Sequence, residues 1–215
     1  MTVIDLTHTI TENMPVYPGT EPPKLTAPCT VEKDGFKETL LHMFSHTGTH
    51  MDAPAHLIEN GTPLDSFDVS QFVGSALVID CSELKESDRI GMPFIEQNRQ
   101  LAEKADFLLF RTDWDNKWGT ADYFEDFPCI TSEVADFIVS SGKKGVGLDV
   151  ISIDPIGTEL LNHKKILGQN TIMIIENLCN LEQLGSGLFT FIAAPLKFEN
   201  ADGAPIRALA IINYA

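Results

Sequence analysis

The chain has 215 residues, 43% hydrophobic and 21% charged, a balance that suits one globular domain with a sizeable core and excludes a wholly disordered chain. With 15 basic and 31 acidic residues the net charge is −16, a surface that repels phosphate backbones and removes nucleic acid from the expected partners. No stretch approaches the ~18 continuous apolar residues of a membrane span. The opening MTVIDLTHTI lacks the pattern of a secretory signal, and the four cysteines are dispersed. A cytoplasmic protein with free thiols, away from membranes, is therefore expected.

In chain order, residues 3–7 read as a short strand. Residues 11–28 hold six Pro and Gly breakers, among them Pro15, Pro18 and Gly19, so an extended Pro-rich N-terminal arm over about 11–30 is predicted. Residues 37–45 form a strand candidate leading into a histidine-rich segment, and 75–81 (SALVIDC) a buried strand. A broad apolar face marks 93–104 as helical, and 106–111 (DFLLFR) as the next strand. Thr131 is placed to cap a helix running to Ser140, with Gly142 as its stop. Strands are predicted at 144–149, 171–176, 188–194 and 207–214, with a helix at 158–166. Helices and strands alternate in the middle while strands dominate both ends, which points to a single α/β domain over 1–215 with a mixed sheet.

The segment His46-Thr-Gly-Thr-His50-Met-Asp52-Ala-Pro-Ala-His56 carries the chemistry. In an extended backbone alternate residues share a face, so His46, His50 and Asp52 aim the same way. Gly48 between them leaves room for an ion or substrate, and Pro54 bends the chain so that His56 can swing toward the same pocket. The rival helical geometry is disfavoured by Thr47, Gly48, Thr49 and Pro54. Two imidazoles and a carboxylate suit a catalytic divalent metal, Zn²⁺, Mn²⁺ or Fe²⁺, with Zn or Mn expected, and an open position for water. His56 is then free to take and return protons. Glu176, at the mouth of the apolar run 172–175, is costly there without a cation or hydrogen bonds. No nucleophile elbow, phosphate loop or dinucleotide fingerprint is present. The competing class is a non-catalytic metal-binding module, which needs no acid/base group.

The segment matches, at every defined position, the motif His-x-Gly-Thr-His-x-Asp-x-Pro-x-His of the putative cyclase family, which includes bacterial kynurenine formamidases and isatin hydrolases. The likeness extends to Met14–Gly19 (MPVYPG), to Gly147-Leu-Asp149 and Ser152-Ile-Asp154, and to Glu176-Asn177-Leu178, with 112–130 the least typical stretch. The resemblance implies a swivelling β/β/α domain and a homodimer or homotetramer in which the arm reaches a neighbouring site. It implies one ion on His46, His50 and Asp52, and in the formamidase branch a second on His163 and Glu176, with Asp52 and Glu176 bridging; the isatin hydrolase branch looks mononuclear. The implied activity is hydrolysis of a small-molecule amide, foremost an N-formylkynurenine-type aryl formamide. Metal-supplied hydroxide would attack the carbonyl, His56 would serve as general acid/base and Tyr17 would stack on the substrate ring. A cyclic amide such as isatin, or a lactone, is the alternative.

Overall fold

The computed structural model describes residues 1–212; the end of the predicted closing strand, including Tyr214, lies outside the described residues. The strands are β1 (Thr2–Asp5), β2 (Lys24–Cys29), β3 (Glu38–His42), β4 (His50–Asp52), β5 (Val73–Asp80), β6 (Arg89–Ile90), β7 (Phe107–Arg111), β8 (Cys129–Ile130), β9 (Gly145–Leu148), β10 (Met173–Glu176), β11 (Phe189–Pro195) and β12 (Gly203–Ile212). The helices are α1 (Val31–Asp34), α2 (Met92–Glu96), α3 (Arg99–Lys104), α4 (Ser132–Ser140) and α5 (Leu161–Leu167).

The expected mixed sheet is present, but it closes on itself. Strands β5, β7, β9 and β10 run parallel, and β4, β12 and β11 complete the ring with antiparallel pairings. The length of β12 makes closure possible. Gly203–Pro205 pair with β4, while Ile206–Ile211 pair with β11, so one strand joins both ends of the sheet into a seven-stranded barrel. Strand β1 adds to the outer part of β12.

Alternation along the parallel strands separates two cores. Leu77 and Ile79 of β5, Leu108 and Phe110 of β7 and Ile174 of β10 face the helices, packing with Ile95, Ala102, Val134, Ile138 and Ile166. Their neighbours Ala76, Val78, Phe107, Leu109, Met173 and Ile175 fill the barrel with Met51, Phe191 and Ala208. Strand β7 (FLLFR) is apolar on both faces because both are covered. Gly147 makes room inside: a Cβ there would come within 2.8 Å of Leu109 and Leu178.

Some predicted elements are corrected. The 93–104 helix is two, interrupted at Asn98 (φ −127°, ψ 24°). The 158–166 helix starts only at Leu161, because Leu160 is left-handed (φ 54°). Thr131 occupies the N-cap position of α4, but its side chain makes no capping bond. Within residues 11–30, Lys24–Cys29 is a strand, paired with β3 in a hairpin separate from the barrel. Among the described residues no helix is long and apolar enough to cross a membrane.

Candidate active site

Met51 points into the barrel, so His50 and Asp52 on the same strand point out of it. Strand β10 lies alongside in a register that sets Glu176 opposite His50 and Ile174 opposite Asp52. Glu176 shares the outward parity of Ile174, and the two carboxylates and the imidazole therefore meet on the outer face. Helix α5 brings His163 over them. Asp154 sets that helix start: its carboxylate accepts from the backbone N–H of Asn162 (3.3 Å) and His163 (3.0 Å) and from His163 Nδ1 (2.8 Å). His50, Asp52, His163 and Glu176 are all buried.

His46 reaches the cluster differently from the sequence expectation. The extended run begins only at His50; before it Gly48 is left-handed (φ 67°) and the chain turns. Gly48 does not leave room for an ion. A Cβ there would meet Met14 at 3.0 Å, and the glycine instead permits the turn that folds His46 back. Pro54 does bend the chain, into a 3₁₀ turn over Pro54–His56, and the His56 ring lies 3.9 Å from that of His46.

Each cluster histidine offers one nitrogen to the carboxylates and fastens the other. His46 Nδ1 is 2.6 Å from Asp52 Oδ1, with Nε2 3.1 Å from Asp202. His50 Nε2 is 3.3 Å from Asp52 Oδ1 and 3.5 Å from Glu176 Oε2, while its Nδ1 lies 2.8 Å from the Gly48 carbonyl. His163 Nε2 is 3.2 Å from Glu176 Oε1 and 3.8 Å from Asp52 Oδ2. Both carboxylates thus divide their oxygens between two groups of histidines. Two sets of donors lie within 4.8 Å of one another, His46–Asp52–His56 and His50–Asp52–Glu176.

This donor set fits a divalent cation. The Gly48 carbonyl only accepts, so His50 Nδ1 carries a proton and a neutral His50 directs its Nε2 lone pair at two carboxylates. Only a proton or a cation relieves that contact. The proton affinities say the same. Burial opposes charge on His46, yet Asp52 and Asp202 outweigh it and raise its pKa to about 10. Burial likewise opposes charge on His163, but Asp154 and Glu176 raise its pKa to about 10. Asp52 is held well below the carboxylate range by His46 and His50 despite its burial, and the bond from His46 lowers Asp202 to about 2. Burial and the two neighbouring histidines lower the pKa of His56 in spite of Asp52.

The cluster forms the floor of a cavity of about 400 Å³ whose walls include Val16, Tyr17, Phe44, Leu57, Ile151 and Leu160. Tyr17, singled out in the sequence, thus lines the same cavity as His56 and the five other candidate residues. Sequence reasoning missed Asp202 and Gly203, which arrive from the start of β12, some 150 residues away from His46. Their only local trace is an Asp-Gly step before the last strand. A Cβ on Gly203 would lie 2.5–2.6 Å from the His46 ring. Where His46 serves as a ligand to a divalent cation, Gly203→Ala is expected to push it aside and weaken Zn²⁺ binding by about 10–100-fold, the range for disturbing a ligand's support. Competition against a zinc chelator measures this, and unchanged affinity would show that the ring has room to move.

The fold and site define a family. Residues 4–155 match the family model described as "Putative cyclase", and the chain belongs to that family. It is 34% identical to the kynurenine formamidase of Bacillus cytotoxicus over 208 residues, covering 96% of this chain and 95% of that one. Isatin hydrolase A from Labrenzia aggregata, solved with benzyl benzoate, superimposes with a TM-score of 0.88 at 28% identity, covering 97% of this chain and 93% of that one. A structure described as a potential metal-dependent hydrolase with cyclase activity gives a TM-score of 0.73 at 30% identity, with 97% and 96% covered. The first two of these relatives are named for hydrolysis of an amide, and the third as a potential metal-dependent hydrolase.

Proposed function

We propose that this protein is a metal-dependent amide hydrolase whose substrate is an aryl formamide of the N-formylkynurenine type. One observation carries the reading: His46, His50 and His163 converge with the carboxylates of Asp52 and Glu176 on a cavity lined also by Tyr17 and Phe44, with His56 beside the cluster. His46, His50 and Asp52 would hold one ion, Zn²⁺ or Mn²⁺. His163 and Glu176 would hold a second, with Asp52 and Glu176 serving both sites, a reading supported by the divided oxygens of both carboxylates. A divalent ion bound there supplies Lewis acidity at the amide carbonyl and a water acidic enough to ionise near neutral pH. Neutral His56 accepts a proton from the attacking water and returns it to the departing nitrogen. Tyr17 and Phe44 hold an aromatic ring, and the apolar walls exclude bulk water.

A second reading, hydrolysis of a neutral cyclic amide such as isatin, draws on another feature. Among the described residues no lysine or arginine lines the cavity, so nothing there pairs with a substrate carboxylate. A hydrolysis screen of formyl anilides, cyclic amides and lactones with Zn²⁺- or Mn²⁺-loaded protein separates the readings. Activity confined to formyl anilides is the expected result; no turnover of any class by metal-loaded protein would leave a non-catalytic binding module.

A homodimer or homotetramer belongs to the same proposal. Val31, Phe36, Leu40, Leu41 and Phe44 are exposed on and around the β2–β3 hairpin, and every residue of β3 is exposed. An apolar two-stranded hairpin is marginal in water without something to cover it. Light scattering on the purified chain gives the mass; a monomer at all concentrations would refute the assembly.

A further inference from the structure

Tyr123 is a wholly buried phenol that does not itself line the cavity, although its partner Asn177 does. Its Oη donates to Asn177 Oδ1 at 2.7 Å. The Gly48 carbonyl can only accept, so it takes Nδ2 and leaves Oδ1 facing the phenol, whose O–H holds the amide in that orientation. Nδ2 donates to the Gly48 carbonyl at 2.8 Å, the same oxygen that accepts from His50 Nδ1 at 2.8 Å. The Asn177 backbone is anchored as well: its N–H donates to the Val150 carbonyl at 3.0 Å, and its own carbonyl accepts from Thr49 Oγ1 at 2.6 Å.

The phenol is itself held from outside the site. Trp114 Nε1 donates to the Tyr123 carbonyl at 3.1 Å, and the ring of Trp118 stands edge-on to the tyrosine at 5.1 Å. Trp118 in turn stacks on His8 at 3.9 Å with its plane tilted by only 5°. The Gly48 carbonyl belongs to a left-handed turn between two candidate ligands, a conformation with no regular ladder of its own to hold it.

We propose that Tyr123 and Asn177 are positioning residues that lock the Gly48 carbonyl onto His50 Nδ1, so that His50 Nε2 is the atom presented to the metal. The proposal rests on the reading of His50 as a ligand. Tyr123→Phe removes the donor that holds the amide in place. Asn177→Asp keeps the volume and tolerates the left-handed backbone (φ 58°) but replaces the donor to Gly48 with a repelling oxygen. The probes are Zn²⁺ in competition with a fluorescent chelator and the visible absorption spectrum of the Co²⁺-substituted protein, both read without turnover.

Folded Tyr123→Phe is expected to bind Zn²⁺ about 10–100-fold more weakly and to alter the Co²⁺ bands, with Asn177→Asp affected more. A purely structural bond would lower the melting temperature alone; wild-type affinity and an unchanged Co²⁺ spectrum in either folded variant would overturn the proposal. If Tyr123→Phe does not fold, Asn177→Asp carries the same test. His50→Ala is the control for the underlying reading: should it bind Zn²⁺ like the wild type, His50 is no ligand and both ideas fall together.

Discussion

On the proposed function, Asp52→Asn is expected to yield a folded protein that no longer retains Zn²⁺ and hydrolyses an aryl formamide at least about 10³-fold more slowly, the order expected when a Lewis acid worth several kcal/mol is lost. Among the carboxylates of the described residues Asp52 alone lies within 4 Å of His46 (2.6 Å), His50 (3.3 Å) and His163 (3.8 Å). Its two oxygens face different histidines, so one neutralised carboxylate disables one ion or two. Asparagine matches its volume between β10 and β12, which keeps the strand pairing at Ile174 and Gly203 intact. Metal analysis after dialysis, with kinetics on the same sample, provides the check. Full zinc content in the variant would remove Asp52 from the ligand set.

His56→Ala is expected to behave in the opposite way: metal content unchanged, kcat lower by about 10²–10⁴-fold, and KM little altered. His56 lies in the less buried part of the cluster and sits in a short 3₁₀ turn whose only buried residue is Pro54, so its truncation leaves the strands undisturbed. The pH profile adds a second mark. Burial holds the His56 pKa below its ordinary 6.5, so at neutral pH the ring is an available base. Wild-type activity should fall as pH drops through that lowered pKa and the ring becomes protonated, and the variant should lack this acidic limb. Its ring also lies close enough to the His46–Asp52 pair to bind an ion. Loss of metal together with activity would therefore make His56 a ligand and not the proton carrier.

Much of the site was legible because its residues are unusual in kind and close in sequence. His46, His50, Asp52 and His56 fall within eleven residues, and Pro54 signals a bend that the 3₁₀ turn provides. Glu176 was legible as a carboxylate ending an apolar strand, where isolation is costly. His163 was not legible from its neighbours: Asn162 and Lys164 suggest a solvated helix surface, and only family likeness singled it out. The parity reading succeeded for His50 and Asp52, which lie in β4, and failed for His46, because Gly48 reverses the backbone before the strand begins.

The sequence by itself determined the alternation of apolar residues, the strands and helices that follow from it, and the local group of candidate metal-binding side chains. Those are short-range properties, set by side-chain period and backbone sterics. Only the tertiary structure decided that the sheet closes through β12, that Asp202 and Gly203 come to rest against His46, and that Tyr123 and Asn177 reach the Gly48 turn. Each of these joins residues from about 50 to more than 150 positions apart. No pattern within either segment encodes the partner, because the contact exists only once long-range strand pairing has fixed both ends.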